Sequence, residues 1–439
     1  MHKITFLGAG STIFARSVLG DCMSSEVLRD SEIVLYDIDS QRLKESEKIL
    51  SAINRGKGGH SKITAFAGLE NLEKALSGSS FVVNAVQVGG YDPCTVTDFE
   101  IPKKYGLRQT ISDTLGIGGI MRALRTIPVM ETFTRTMEKV CPDAWFLNYT
   151  NPMAMLTGYV QRYTGTKTIG LCHSVQVCSE HLLSSLGMED RLDGRQELIA
   201  GINHMAWLLE IRDRAGEDLY PEIKRRAKQK NLNEKHDDMV RFDYIDKLGH
   251  YCTESSEHNA EYNPFYIKEK YPELIDKYNV PLDEYPRRCI RQMANWKSEY
   301  ESLAKADTLE HERSLEYASH IMEAIVSGKP YAIGGNVINL GALENLPDEA
   351  CVEVPCMVDS SGIRACHVGR LPVQLAAMNM TSINVHLITI EAARTKKREH
   401  IYHAAMLDPH TAAELSVDDI RAMVDELIEA HGNWLPEYK

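Results

Sequence analysis

Lys3-Ile4-Thr5-Phe6-Leu7-Gly8-Ala9-Gly10-Ser11-Thr12 is the stretch on which the fold turns. Its first five residues read as a strand, and Gly8 and Gly10 follow directly. Glycines at a strand end let the backbone bend sharply and approach a pyrophosphate, which the N-terminus of the next helix then attracts. That helix is expected to start near Ser11. Ile13 stands where the third glycine of G-x-G-x-x-G would be. The next apolar run ends in Leu35-Tyr36-Asp37-Ile38-Asp39. A carboxylate at Asp37 can accept hydrogen bonds from ribose hydroxyls and repel a 2′-phosphate, which selects NAD over NADP. Gly8, Gly10, Ser11, Thr12 and Asp37 are therefore expected to hold NAD. The bland alternative is a glycine turn in an ordinary α/β protein.

Outward from this stretch, short apolar runs at 3–7, 33–36, 63–66, 81–86, 145–149 and 168–171 alternate with helical stretches such as 71–76 and 121–140. Such alternation implies a parallel sheet covered on both faces. Six strands with helical crossovers predict an α/β fold built on a Rossmann-type doubly wound sheet, like that of lactate and malate dehydrogenases. From about residue 197 the pattern changes. Residues 197–212 look like a long strand or hairpin arm. Charged helical segments follow at 222–230 and 237–248, then a helix at 287–301, a β-rich stretch at 331–358 and closing helices from 372. The expected division is a NAD-binding domain over 1–196 and an α+β lobe over 197–439 for catalysis, substrate and oligomerisation.

The formal net charge of −13 argues against nucleic acid or an anionic membrane as partner. No basic-then-apolar leader precedes the first strand and no apolar run could span a bilayer, so a cytoplasmic protein is expected. The ten cysteines are scattered without a C-x-x-C pair and read as reduced thiols.

Chemistry concentrates after later strands, where open α/β sheets place their ligands. One strand runs into Asn148-Tyr149-Thr150-Asn151-Pro152 and the next into Leu171-Cys172-His173-Ser174. Asparagines there can bind sugar or ribose hydroxyls, or simply form an Asx-turn before Pro152. Asn148 is expected to contact the cofactor and Asn203 the substrate. His204 lies in Gly201-Ile202-Asn203-His204, expected on the strand after the next helix. Thiolate and imidazole on neighbouring elements suit a divalent metal with open positions. The same two residues would also pass for a buried cysteine and a satisfied histidine. His173 could be an acid, an orienting group or structural. Asp113-Thr114-Leu115-Gly116-Ile117-Gly118-Gly119, expected between a strand and a long helix, reads as a mobile loop or a close approach to cofactor. Asp113 there is either a partner of a catalytic group or a cap. Residues 257–262 read as an active-site loop. The chain has no G-x-x-x-x-G-K-[ST], H-E-x-x-H or G-x-S-x-G.

Together these segments resemble the family-4 glycoside hydrolases nearly end to end. The resemblance is carried by 4–12, by 113–119 with Arg122 and Arg125, by 148–152, by Cys172-His173-Ser174 and by Gly201 to His204. The strings 89–99, 253–258, 281–286, 402–406 and 408–413 are similar to those of the branch that cleaves α-galactosides such as melibiose. The resemblance implies oxidation of the sugar at C3 by NAD⁺, loss of the C2 proton, elimination at C1, addition of water and return of the hydride. It also implies a divalent metal, with Mn²⁺ expected and Co²⁺, Ni²⁺ and Fe²⁺ as alternatives.

By the same resemblance Cys172 and His204 match the metal ligands, and Asn151 and Arg288 the substrate contacts. Asp113 matches an acidic residue that strengthens the base. In many members the base is a tyrosine; Tyr262 and Tyr266 compete here, and Tyr262 is preferred. His173 replaces an aspartate acid of the phospho-glucosidase branch and is the candidate acid. No clear phosphate-binding arginine lies near Gly89-Gly90, consistent with an unphosphorylated, small α-linked saccharide. A homo-oligomer, dimer or tetramer, is expected. Rival readings are an α-glucuronidase or α-galacturonidase of the same family, an NAD-dependent hydroxyacid dehydrogenase, and an NAD-sensing binding protein.

Overall fold

The computed structural model describes residues 2–439. The six expected runs become β1 (Lys3–Leu7), β2 (Glu32–Asp37), β3 (Lys62–Ala67), β4 (Phe81–Asn84), β5 (Trp145–Asn148) and β6 (Lys167–Gly170). They pair in parallel in the order β3-β2-β1-β4-β5-β6. Successive side chains of a strand point to opposite faces, so these runs feed two cores at once. Ile33 and Leu35 enter one core with Ile4 and Phe6, whereas Val34 and Tyr36 enter the other with Leu7 and Val82. The doubly wound expectation holds.

The arm at 197–212 is a hairpin of β7 (Gln196–Ile202) and β8 (Met205–Arg212). The β-rich stretch supplies β10 (Tyr331–Ile338) and β11 (Cys351–Asp359); β9 (Tyr251–Cys252) and β12 (Gly362–Ala365) are short. These strands do not form a sheet of their own. They extend the first one in the order β6-β10-β11-β7-β8-β9, with β12 on β11. The extension hangs on single residue pairs, Gly170 with Asn336 and Glu353 with Gly201. Both glycines are required there. A Cβ on Gly170 would lie 2.8 Å from that of Asn336, and Gly201, at φ +154°, would press a Cβ 2.8 Å from Ala206 Cα.

Three local expectations change. His204 sits in the two-residue turn between β7 and β8, not on a strand. The stretch 113–119 follows a helix, Val96–Lys104, and Gly116 already opens the helix Gly116–Val140. Two of its glycines, Gly118 and Gly119, are needed for packing against the loop itself. A Cβ on Gly118 would meet Ser112 Oγ, and one on Gly119 would meet the Thr114 carbonyl at 2.6 Å, so the chain's own loop is what comes close. Residues 257–262 lie in a helix, Ser256–Tyr262, capped when the Ser255 side chain accepts from the His258 N–H.

Candidate active site

At the carboxyl end of β1 the chain builds an anion cradle. Gly8 has φ +84°, and the helix Thr12–Ser24 starts at Ser11 with no side-chain cap, which leaves its first-turn N–H groups without an intrahelical partner. A Cβ on Gly8 would lie 2.8 Å from the Ala85 carbonyl, and one on Gly10 2.7 Å from Asp37 Oδ2. Asp37 Oδ2 accepts from Gly10 N at 2.6 Å and Oδ1 from Asp39 N at 2.9 Å, which fixes the carboxylate at the strand end. Thr12 contributes backbone only, since its hydroxyl bonds Ser46 Oγ. Exposed Ile13 and Ile38 flank the cradle. The uncapped helix, glycine floor and fixed carboxylate fit a dinucleotide.

The second centre lies at the far end of the parallel sheet. Cys172, two residues past β6, is held by Tyr317, whose hydroxyl accepts from Cys172 N at 2.8 Å and lies 3.1 Å from its carbonyl. His204 projects from its turn at φ +63°. Glu254, at φ +64°, is brought alongside by Thr253, which exchanges hydrogen bonds with the Ala206 backbone. Ligand atoms of Cys172, His204 and Glu254 all lie within 4.8 Å of one another, and those of Asp113, His204 and His258 do the same. Sulfur, nitrogen and oxygen donors together suit a first-row transition ion. Glu254 is half-buried, and His258, His204 and His173 overcome its desolvation and bring its pKa down to about 2. Burial, then Glu353 and Glu254, push the Cys172 thiol well up. Such a site favours a cation that offsets the carboxylates and takes the thiolate.

Tyr262 completes this centre. Its hydroxyl lies 3.1 Å from His204 Nδ1, while His204 Nε2 lies 3.3 Å from Glu254. Burial and the nearby carboxylates of Asp113, Glu261 and Glu254 raise the phenol well above its ordinary value. Tyr266 is elsewhere: its hydroxyl donates to Asp243 and its ring packs against Tyr244 and Tyr278. Asp113 is buried, but Arg122, His258 and His204 hold its pKa below the usual carboxylate range. It accepts from Thr114 Oγ at 2.7 Å and from Asn151 Nδ2 at 3.3 Å. Glu261 fastens this loop to the helix that bears Tyr262, its carboxylate accepting from the backbone N–H groups of Thr110, Ile111 and Ser112 at 2.7, 3.1 and 2.8 Å.

A cavity of about 650 Å³ reaches this centre at Glu254; His173 and Ser174 line it too, as does Arg288, which bonds Glu257 at 2.6 Å. The Family 4 glycosyl hydrolase model matches residues 3–188, and the model of that family's C-terminal domain matches residues 199–411. The chain belongs to glycosyl hydrolase family 4. It is 58% identical over its full length, and that of the relative, to an α-galactosidase of Bacillus subtilis. It is 34% identical to an α-galactosidase of Rhizobium meliloti, over 99% of this chain and 89% of that one. Among solved structures, a 6-phospho-α-glucosidase from gut microorganisms, in complex with NAD and Mn²⁺, superposes with TM-score 0.83 over the whole of both chains at 20% identity. A lactate dehydrogenase from Cryptosporidium parvum matches more loosely, with TM-score 0.53 at 13% identity over 90% of this chain and 98% of that one. The fold expected from the first strand is thus the fold of the family.

Two expected site residues of this family-4 chain are fully buried and do not line the cavity. Asn148 is fully buried; its carbonyl accepts from Asn84 and Thr150, and its amide donates to Thr150 and Thr157. It braces the sheet rather than facing a cofactor. Asn203 is also fully buried and points its amide at Glu353, 3.5 Å away. Three residues went unassigned: Glu254, His258 and Arg122, the last between Asp113 and Tyr285. One trace of Glu254 was in the sequence, a carboxylate beside the Ser255 helix cap.

Proposed function

We propose that this chain is an α-galactosidase that hydrolyses α-galactosides such as melibiose by NAD- and divalent-metal-dependent oxidation, elimination, addition and reduction. The observation that carries the reading is the contact between Tyr262 Oη and His204 Nδ1, which puts a proton acceptor one side chain from the Cys172, His204 and Glu254 donor set. Bound NAD offers a hydride acceptor and donor, and a bound divalent cation a Lewis acid, which together allow ketone formation at C3 and acidify the C2 proton. Cys172, His204 and Glu254 would hold the cation. The cradle from Gly8 to Thr12 with Asp37 would hold NAD.

Tyr262 Oη takes the C2 proton. With Nε2 committed to the donor set, His204 carries its proton on Nδ1 and donates to Tyr262 Oη, which favours phenolate. Asp113 acts at one remove: no direct hydrogen bond joins it to Tyr262 among the described residues, and the Thr114 hydroxyl donates to it beside the phenol. His173, exposed at the cavity edge, hands a proton to the leaving oxygen. Asn151 and Arg288 orient sugar hydroxyls. Asn151 does so from its bond to Asp113, and Arg288 from its pair with Glu257. Residues 1–196 hold the dinucleotide and bring Asp113, Asn151, Cys172 and His173 to the centre, and 197–439 supply His204, Glu254, Tyr262 and Arg288 for catalysis and substrate, together with the oligomer contacts. The chain works in the cytoplasm, where NAD is at hand, as a dimer or tetramer. Among the described residues no helix is long and apolar enough to cross a membrane.

Hydrolysis of melibiose in D₂O tests the route. Deuterium should appear at C2 of the released galactose, because the C2–H bond breaks in every turnover; paired-carboxylate hydrolysis leaves that bond intact. Tyr262→Phe should slow hydrolysis and C2 exchange together, and Tyr266→Phe should slow neither. A fully protonated C2 after complete turnover overturns the proposal.

A further inference from the structure

The cavity is longer than one sugar needs. One wall is a single face of the helix His173–Ser185, where His173, Ser174, Val177, Cys178 and His181 follow the helical repeat. From His173, beside the reacting centre, to His181 is eight residues, or about 12 Å of helix. A pyranose built from ~1.5 Å bonds measures roughly 5–6 Å across with its hydroxyls. The wall therefore spans two rings, and the near one is accounted for by Glu254, His173 and Arg288.

The far end is built, not merely open. Arg241 is 6% exposed and Asp238 5%. The guanidinium is fixed by Asp238, by the Cys252 carbonyl and by the ring of Tyr251 beneath it at 4.4 Å. Asp238 in turn accepts from Tyr251 and Ser256. One more Arg241 nitrogen lies 3.4 Å from Nδ1 of His181. An arginine can only donate, so Nδ1 accepts and the imidazole proton sits on Nε2. His181 itself is exposed and lines the cavity, as does exposed Asn279, whose amide is held by the His236 carbonyl. The result is a rigid set of donors and acceptors at a fixed distance from the reacting centre.

Charge says what they bind. Five carboxylates line the cavity against two guanidinium groups, and each guanidinium is already paired, Arg241 with Asp238 and Arg288 with Glu257. No spare cation awaits a phosphate or a uronate in the second position, whereas paired charges with free hydrogen-bonding capacity suit hydroxyls.

We propose that His181, Arg241 and Asn279 form a subsite for a neutral sugar ring on the leaving-group side, so that the chain selects galactosides whose aglycone is itself a hexose. This rests on the α-galactosidase reading. The test compares two substrates with the same galactose, melibiose and 4-nitrophenyl α-galactoside, in the presence of NAD⁺, Mn²⁺ and a thiol reductant. In His181→Ala the ratio of kcat/KM for melibiose to that for the aryl galactoside should fall about fivefold, the worth of one neutral hydrogen bond to the second ring. Asn279→Gly, which keeps the left-handed turn, should lower the same ratio. Turnover of both substrates with the ratio unmoved in both variants overturns the subsite alone. Failure of the wild-type chain to turn over either substrate overturns the galactosidase reading and the subsite with it.

Discussion

Replacing Glu261 by glutamine should separate holding the active site together from holding the protein together. Glu261 is 3% exposed and spends both carboxylate oxygens on three backbone N–H groups, those of Thr110, Ile111 and Ser112. Glutamine has the same shape but one acceptor oxygen, so its amide must face at least one N–H. Burial lifts the Glu261 carboxyl to about 7, so above that pH the variant loses a charge-assisted bond and leaves a buried donor unpaired, a cost of about 2–3 kcal/mol. In a chain of this size that lowers Tm by only a few degrees. The effect on rate should be larger. Ser112, at φ +56°, is the residue just before Asp113, and Glu261 is the neighbour of Tyr262, so the lost bonds release the loop against the base. A shift of about 1 Å at reacting groups costs on the order of 100-fold. We expect kcat on the aryl galactoside, measured well below Tm, to fall between about 30- and 100-fold. NAD affinity by calorimetry should hold, since the dinucleotide cradle lies at β1 and β2. A wild-type kcat in Glu261→Gln beside a lowered Tm would show that the clamp serves stability alone and refute the reasoning.

Two further outcomes test the two centres separately. Cys172→Ser should raise the Mn²⁺ concentration needed for half-maximal activity by 10-fold or more, a hydroxyl being a poorer ligand than thiolate for a first-row ion, while NAD titration stays close to wild type; full activity at ordinary Mn²⁺ would remove Cys172 from the site. Asp37→Ala should weaken NAD and narrow the gap to NADP by roughly 10-fold, as one charge-assisted bond to ribose is lost; unchanged affinities for both would show that the carboxylate only braces Gly10.

What could be read in the sequence depended on range. The central parallel strands announce themselves through apolar runs such as Ile33–Tyr36 and Phe81–Val83, because burial on both faces demands it, whereas the edge strand Lys62–Ala67 is only half-buried; all six were placed to within two residues. The dinucleotide cradle was legible for a similar reason, since Gly8, Gly10 and Asp37 act through adjacent strand ends. Asn148 and Asn203 show the limit. Both stand at the right ends of strands, but which way an asparagine faces there is decided by Thr157 and Glu353, which lie on other elements. Glu254 was hidden because a single carboxylate becomes a ligand only through a strained backbone turn and the pairing of β8 with β9.

The metal centre itself could not have been derived from the order of strands. In a flat sheet β6 and β7 would lie three spacings apart, ~14 Å, with β10 and β11 between them. Yet the Cys172 and His204 ligand atoms are within 4.8 Å. The approach is made beyond the strand ends, by Cys172 two residues past β6 and by His204 in the β7–β8 turn, next to the single pairs at Gly170 and Gly201 that join the two parts of the sheet. Two glycines, paired with strands more than 150 residues downstream, thus set a candidate cation site at the edge of the Rossmann-type sheet. A Cβ at Gly201 would press Ala206 and the Met205 carbonyl in the hairpin that carries His204, so Gly201→Ala should weaken metal affinity, read by Mn²⁺ titration, before it weakens NAD; an unchanged Mn²⁺ requirement would refute this.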